Sequence, residues 1–372
     1  MRSTLSRRVV TDLLAHADVR TDGARPFDLR VHDEGFYARV LAQGSLGFGE
    51  SYMDGAWDSA DLDELLFRLV AARLDERVHG RAELWAALRA RLLNLQAGRR
   101  AWDVGLRHYD LGNDLYAAML DPHMQYSCGY WREADTLDAA QVAKLRLVCE
   151  KLGFAPGMHV LDIGCGWGTA LAFAAREYGV SGVGVTISRE QAAYARERCA
   201  GLPIEIRTQD YRELDGRFDR IVSIGMFEHV GVRNYRTYFE TARRLLHDDG
   251  LFLLHSIGGE ASVDHTDAWI EKYIFPNSML PSAAQIARAV EGVFVLEDWH
   301  NFGADYVRTL RAWRANIEAR WQALPARYDE RFRRMWRYYL AAAAAGFRAR
   351  RTQLWQLVLS PRGVPGGYRS LR

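Results

Sequence analysis

At 372 residues, 49% hydrophobic and 26% charged, the chain has the composition of a soluble globular protein with one large domain, or a medium domain with an appendage. No apolar run reaches the roughly 18 residues of a membrane span, the basic start (Arg2, Arg7, Arg8) lacks a signal peptide's apolar core, and the four cysteines (Cys128, Cys149, Cys165, Cys199) form no C-x-x-C pair, which points to free thiols in a reducing, cytoplasmic setting. The net charge is only +2, yet residues 311–351 carry eleven arginines against Glu318, Asp329 and Glu330, and residues 77–107 carry seven against Glu83 and Asp103, so a basic face for an anionic surface enters as an expectation.

In chain order, residues 1–100 read as a mostly helical N-terminal domain for lipid, membrane or dimer contact. Apolar residues recur at i, i+3, i+4 over 4–16, 62–74 and 83–95. Residues 36–41 fit a helix turn or a short strand. The glycine-rich stretch 44–57 reads either as a lipid-facing loop or as a compact turn whose Leu46, Phe48, Tyr52 and Trp57 fill a local core. A linker at 96–100 leads to residues 108–114, where Asp110 looks like the N-cap of a helix over 115–120. A polar and aromatic strip follows at 121–131, then an amphipathic helix at 137–152.

From residue 160 strands and helices alternate as in a parallel sheet. Strands are expected over 160–163, 180–185, 204–208, 218–224, 250–255, 293–298 and 353–359. Helices are expected over 169–178, 189–199, 235–247, 283–291, 305–323 and 327–350. The centre of this pattern is Val160-Leu161-Asp162-Ile163-Gly164-Cys165-Gly166-Trp167-Gly168: strand, tight turn, helix N-terminus. Gly164, Gly166 and Gly168 accept positive φ and leave room for a ligand, and Asp162 suits a cationic α-amino group. Nicotinamide and flavin folds also use glycines here, but they need an acid at the end of the second strand. That strand runs instead into Thr186-Ile187-Ser188.

The turn resembles motif I of S-adenosylmethionine-dependent methyltransferases. Ligands of such sheets gather at the carboxyl ends of the strands. Thr186, Ile187, Ser188 and Gln191 stand where a ribose would be held. Asp210 can accept from an adenine amine, Tyr211 can cover the ring, and Tyr126 and Ser127 can close over the methionine end. The implied fold is α/β: a class I methyltransferase, Rossmann-like, with a seven-stranded sheet whose late last strand inserts antiparallel, in a catalytic domain over 101–372. Cys128, Glu228, His255 and Tyr306 lie beside predicted strand ends or loops. Singly each reads as ordinary core or capping; together they hint at convergence.

Residues 108–114, 124–128, 160–168, 184–188, 227–229, 253–258, 273–277, 298–306 and 347–350 carry a more specific resemblance, to the cyclopropane-fatty-acyl-phospholipid synthases. It runs from about Gly44 to the C-terminus. The resemblance implies methylene transfer from S-adenosylmethionine to a cis double bond in an acyl chain of a membrane phospholipid. It implies a carbocation deprotonated by a bound bicarbonate, held by Cys128, Glu228, His255, Tyr306 and the backbone of Ile257. Tyr273, Phe275 and Tyr306 would lend π-electron density to the cation. It further implies a homodimer, peripheral to the inner face of the membrane, acting on unsaturated phospholipids; neither a metal site nor nucleic-acid binding is expected. Many relatives carry a cysteine where this chain has Ala343. A close alternative is a methyltransferase that stops at a branched methyl or methylene chain.

Overall fold

The structure, a computed structural model, describes residues 2–74, 112–263 and 265–372. The chain begins with α1 (Arg2–Ala15), β1 (Arg30–Val31), α2 (Gly35–Met53), β2 (Trp57–Asp58) and α3 (Leu62–Ala71). After residue 112 come α4 (Asn113–Met119), α5 (Leu137–Lys151), β3 (His159–Ile163), α6 (Thr169–Tyr178), β4 (Ser181–Thr186), α7 (Arg189–Arg198), β5 (Ile204–Thr208) and β6 (Phe218–Ile224). Then follow α8 (Tyr235–Leu245), β7 (Leu246–Gly259), α9 (Ala268–Tyr273), α10 (Ala283–Val290), β8 (Val295–Asn301), α11 (Asp305–Arg320), α12 (Glu330–Arg348) and β9 (Thr352–Ser360). The helix expected over 83–95 and the Asp110 cap lie outside the described residues.

Packing divides the chain into two compact units: 1–93 with 264–276 and 310–352, and 94–263 with 277–309 and 353–372. The N-terminal stretch of the first unit ends at residue 93, close to the expected cut near residue 100, but it does not make up that unit alone. Two later stretches join the N-terminal helices because the same aromatic core holds all three.

In the first unit that core forms around α2. Phe48 and Tyr52 meet Trp57 with ring centroids 4.6 and 4.9 Å apart, and Trp269 meets Tyr338 at 4.6 Å. Most of the glycine-rich stretch expected as a loop or compact turn is helical: α2 runs on to Met53 with a kink at Gly44 (φ 58°, ψ −132°), and a turn at Asp54 and Gly55 then leads into β2 at Trp57. Its glycines serve close approach: a Cβ on Gly49 would stand 2.5 Å from the Trp269 ring. Phe48, Tyr52 and Trp57 are buried and Leu46 is half-buried, which agrees with the local-core reading for three of its four residues.

The arginines of 311–351 are largely consumed inside this unit. Arg311 and Arg314 bind Asp63, Arg331 binds Asp54, and Arg333 and Arg337 bind Glu318. Arg334 binds Asp58 and Arg348 binds Glu64. The acids that neutralise the run come mainly from 54–64, far away in sequence, which is why a local charge count suggested a free basic face. The second basic run, 77–107, lies outside the described residues.

The second unit is built on one seven-stranded sheet, ordered β5-β4-β3-β6-β7-β9-β8. β3 to β7 pair in parallel, and β8 pairs antiparallel with β9. Alternation along the strands fills both faces. Leu161, Ile163, Val183 and Leu254 pack with Tyr238 and Phe239 of α8 and Ile286 of α10. On the other face Val160, Val222, Leu253 and Val358 pack with Val148 and Leu152 beside α5 and with Leu171 of α6. The expected strands and helices of this region are present with ends shifted by a few residues; the largest shifts are at the two ends of β7, which starts four residues earlier and ends four residues later than expected.

Candidate active site

A cavity of about 210 Å³ opens at the carboxyl ends of β3 to β6. Asp162, Ile163 and the turn after β3 form its floor. Gly164 (φ 87°) is required twice over: its backbone is left-handed, and a Cβ would stand 2.7 Å from Met226. Gly166 also lines the cavity, with open space where its Cβ would be. Gly168 departs from the expectation: it is not in the lining, and a Cβ there would meet Ala195 and Cys199. Its role is to let α6 start against α7.

One wall is the segment 124–127, held in place by α5. Gln141 is fully buried, and its Nε2 donates to the carbonyls of Ser127 (2.8 Å) and Gln125 (3.3 Å). Lys144, one turn on, donates from Nζ to Ser127 Oγ at 2.9 Å. Asp121 closes the preceding turn by accepting from the backbone N–H of His123 and Gln125. Tyr116 packs at 5.1 Å from both Tyr126 and Trp167, extending the wall in aromatic contact. Burial pushes Asp162 up to about 7, opposed by the nearby Lys144 ammonium. Burial also brings Lys144 down to about 8, opposed by Asp121, Cys128 and Asp162. Oδ1 of Asp162 and both amide atoms of Gln125 are buried without a hydrogen-bond partner.

Thr186, Ile187, Ser188 and Gln191 line the opposite side with Asp210 and Tyr211. Thr186 Oγ1 donates to Gln191 Oε1 at 3.1 Å and accepts from Ser188 N–H at 3.2 Å, while Ser188 caps α7. The turn is thus pre-set with neutral groups. Asp210 is less free than expected. Arg212 grips its carboxylate with Nε at 2.9 Å and a second nitrogen at 2.5 Å, so any contact to an adenine amine uses the remaining lone pairs.

Cys128, Glu228, His255, Ile257 and Tyr306 are not in this lining. Met226 and His229 are, however, and they flank Glu228 along the chain. Glu228 lies four residues beyond the end of β6, and His255 lies within the neighbouring strand β7, where it pairs with Ile224, the last residue of β6. Glu228 Oε1 accepts from Ile257 N–H at 2.7 Å, and its Oε2 is buried without a partner. Burial raises this carboxyl to about 7. His255 is buried, held well below the usual imidazole range, and its Nδ1 pairs with Gln356 Nε2 at 3.2 Å. With Gln356 donating, the neutral ring keeps its proton on Nε2, which has no partner. Burial holds the Cys128 thiol protonated; it donates to the Gly129 carbonyl at 3.1 Å. Thr309 ties this segment to the first turn of α11, where Tyr306 sits: its Oγ1 accepts from Gly129 N–H (3.1 Å) and Trp131 Nε1 (2.8 Å). Tyr273, Phe275 and Ala343 belong to the first unit, where Tyr273 donates to Glu50 and Phe275 packs on Tyr339.

Residues 96–357 match the family described as mycolic acid cyclopropane synthetase. The chain belongs to the cyclopropane synthase family. It is 54% identical to the cyclopropane-fatty-acyl-phospholipid synthase of Escherichia coli (strain K12), over 98% of this chain and 96% of that one. It is 35% identical to tuberculostearic acid methyltransferase UfaA1 of Mycobacterium tuberculosis, over 97% and 91%. Among solved structures it matches mycolic acid cyclopropane synthase CmaA1 complexed with SAH and CTAB, with TM-score 0.64 and 33% identity, over 69% of this chain and 97% of that one. The chain is thus an S-adenosylmethionine-dependent methyltransferase of class I fold. The cavity fits that cosubstrate: a partnerless buried carboxylate oxygen at Asp162, neutral groups at the second strand end, and Tyr211 beside them. Lys144, Gln125, Gln141, Arg212 and Thr309 were missed from sequence. Gln141 and Lys144 did leave a signal, as polar residues three apart on the face of α5 that must be buried.

Proposed function

We propose that the chain transfers a methylene group from S-adenosylmethionine to the cis double bond of unsaturated acyl chains in membrane phospholipids, with bicarbonate as the base. The observation that carries this reading is the pair of buried, partnerless polar atoms Glu228 Oε2, just after β6, and His255 Nε2, on β7 beside the end of β6. Bound S-adenosylmethionine supplies a one-carbon electrophile, and bound bicarbonate supplies a proton acceptor. An alkene is a weak nucleophile, so the protein's part is to exclude water and fix the approach. Asp162, Ser127, Thr186, Gln191 and Tyr211 would hold the nucleoside and amino-acid ends. His255 would donate its Nε2 proton to an anion. Glu228 would accept from the anion's hydroxyl or, near its raised pKa, donate to it; either way a negative charge is held where positive charge develops. The buried, uncharged Cys128 thiol and Tyr306 complete the cage without adding charge.

The name and near-complete coverage of the Escherichia coli relative support the phospholipid substrate. A peripheral position on the inner face of the membrane and a homodimer belong to the same reading; no helix among the described residues is long and apolar enough to cross a membrane. A second reading, methyl transfer that ends in a branched methyl or methylene chain, is favoured by the match to UfaA1, which is named a methyltransferase. Mass spectrometry of unsaturated phospholipid vesicles incubated with protein and S-adenosylmethionine, with and without bicarbonate, tests both. A gain of one CH2 with loss of the double bond, dependent on bicarbonate, is expected. A gain of CH2 with the double bond kept selects the second reading. No gain in either condition overturns both.

A further inference from the structure

Lys144 is 1% exposed, yet it lines the cavity. An ammonium has three N–H donors, and its described hydrogen bond, to Ser127 Oγ at 2.9 Å, uses one. Burying a cation with donors to spare is costly unless something completes its shell. No carboxylate of the protein forms an ion pair with it among the described residues. Asp121 spends both oxygens on backbone N–H groups. Asp162 is near enough to feel the charge, but its Oδ1 has no partner. Gln125, on the same wall and 5% exposed, has neither amide atom engaged. Gln141 fixes the carbonyls of Gln125 and Ser127, so these groups are held in place before any ligand arrives.

The wall therefore presents two opposite charges with unspent hydrogen-bonding capacity. That is the complement of an α-amino-acid zwitterion, whose ammonium and carboxylate lie within a few ångströms of each other. We propose that Lys144, assisted by the Gln125 amide, receives the α-carboxylate of the methionyl group of S-adenosylmethionine while Asp162 receives its α-ammonium. The inference rests on the cosubstrate shown by family membership and not on the acyl acceptor. A charge-assisted contact of this kind is among the stronger ones available to the site.

Calorimetric titration of the apo protein with three unreactive ligands tests it: S-adenosylhomocysteine, its analogue lacking the α-carboxylate, and 5′-methylthioadenosine, which lacks the amino acid. Wild type is expected to prefer S-adenosylhomocysteine over the decarboxylated analogue at least tenfold. Lys144→Met is expected to weaken S-adenosylhomocysteine by about 10- to 100-fold and each of the other two by less than threefold. Equal losses for all three ligands would mean that Lys144 shapes the cavity or balances Asp162, and would overturn the proposal. The wild-type comparison stands even if the variant does not fold: equal affinity for S-adenosylhomocysteine and its decarboxylated analogue also overturns it. Vesicle assays play no part, so failure of the acyl-chain reading leaves this result intact.

Discussion

Glu228 is the residue on which a carboxyl and an amide should differ most. Its Oε1 accepts from Ile257 N–H, a bond that Gln can keep, so Glu228→Gln removes the ionisable group with little change of shape. Turnover is expected to fall at least 100-fold while S-adenosylhomocysteine binding stays within a few-fold; product formation near the wild-type rate would dismiss the assigned anion site. Stability gives a second check. Burial lifts this carboxyl from 4.5 to about 7, so the folded state holds its proton more tightly than the unfolded chain. The associated stability is present at low pH and is lost as pH rises from about 4.5 through 7. Gln mimics the protonated form, so the variant should match wild type below pH 5. In ligand-free, bicarbonate-free buffer it should exceed wild type above pH 8 by on the order of 2–3 kcal/mol. Urea midpoints at the two pH values decide this; a difference independent of pH would contradict the burial argument. Asp162 was legible in the sequence because a carboxylate ahead of three glycines has few other uses. Lys144 and Gln141 left only a faint signal, their place on the apolar face of α5, because on a helix a polar residue reads as solvent-facing until the fold shows which face is covered.

Among the elements, α2 shows how glycine misleads. A stretch with Gly44, Gly47, Gly49 and Gly55 reads as turns, and one kink at Gly44 is indeed there. Gly47 and Gly49 instead lie within the helix, because a Cβ on either would collide: on Gly47 with the Arg39 carbonyl at 2.5 Å, on Gly49 with Trp269 at the same distance. Only the partner's position reveals that need, and Trp269 is 220 residues further along the sequence. Gly49→Ala is expected to destabilise the first unit by about 1–3 kcal/mol through overpacking, even though Ala is the better helix former. Thermal unfolding followed by tryptophan fluorescence would record it; an unchanged or raised midpoint would show that propensity wins and the ring gives way. The sheet elements were read more securely, since Leu161 and Ile163 alternate with Val160 and Asp162 in a pattern that local sequence carries by itself.

At the scale of the molecule, the first unit is assembled from three stretches, 1–93, 264–276 and 310–352. The expectation of an N-terminal domain made of residues 1–100 changes accordingly. Deleting residues 1–100 strips Phe48 and Tyr52 from Tyr338, and Gly49 from Trp269, leaving aromatic surface without cover. The 101–372 fragment is expected to aggregate or to melt well below the intact chain, so loss of vesicle activity in it says nothing specific about lipid. A fragment with the full-length melting temperature and normal S-adenosylhomocysteine affinity would contradict the interleaved packing.

The same interleaving sets an order of events on the ribosome. β8 has β9 as its sheet neighbour, and β9 also separates β8 from β7. While residues 295–351 are being made, β7 keeps an open edge, β8 has no partner, and the aromatic residues of α2 still lack Tyr338 of α12. Unpaired edges and bare aromatic surface are what nascent-chain chaperones bind and what drives chains together. Neither unit can close until the nine residues of β9, or the helix just before them, have left the exit tunnel. A stretch translated late thus decides whether the earlier ones can fold to completion.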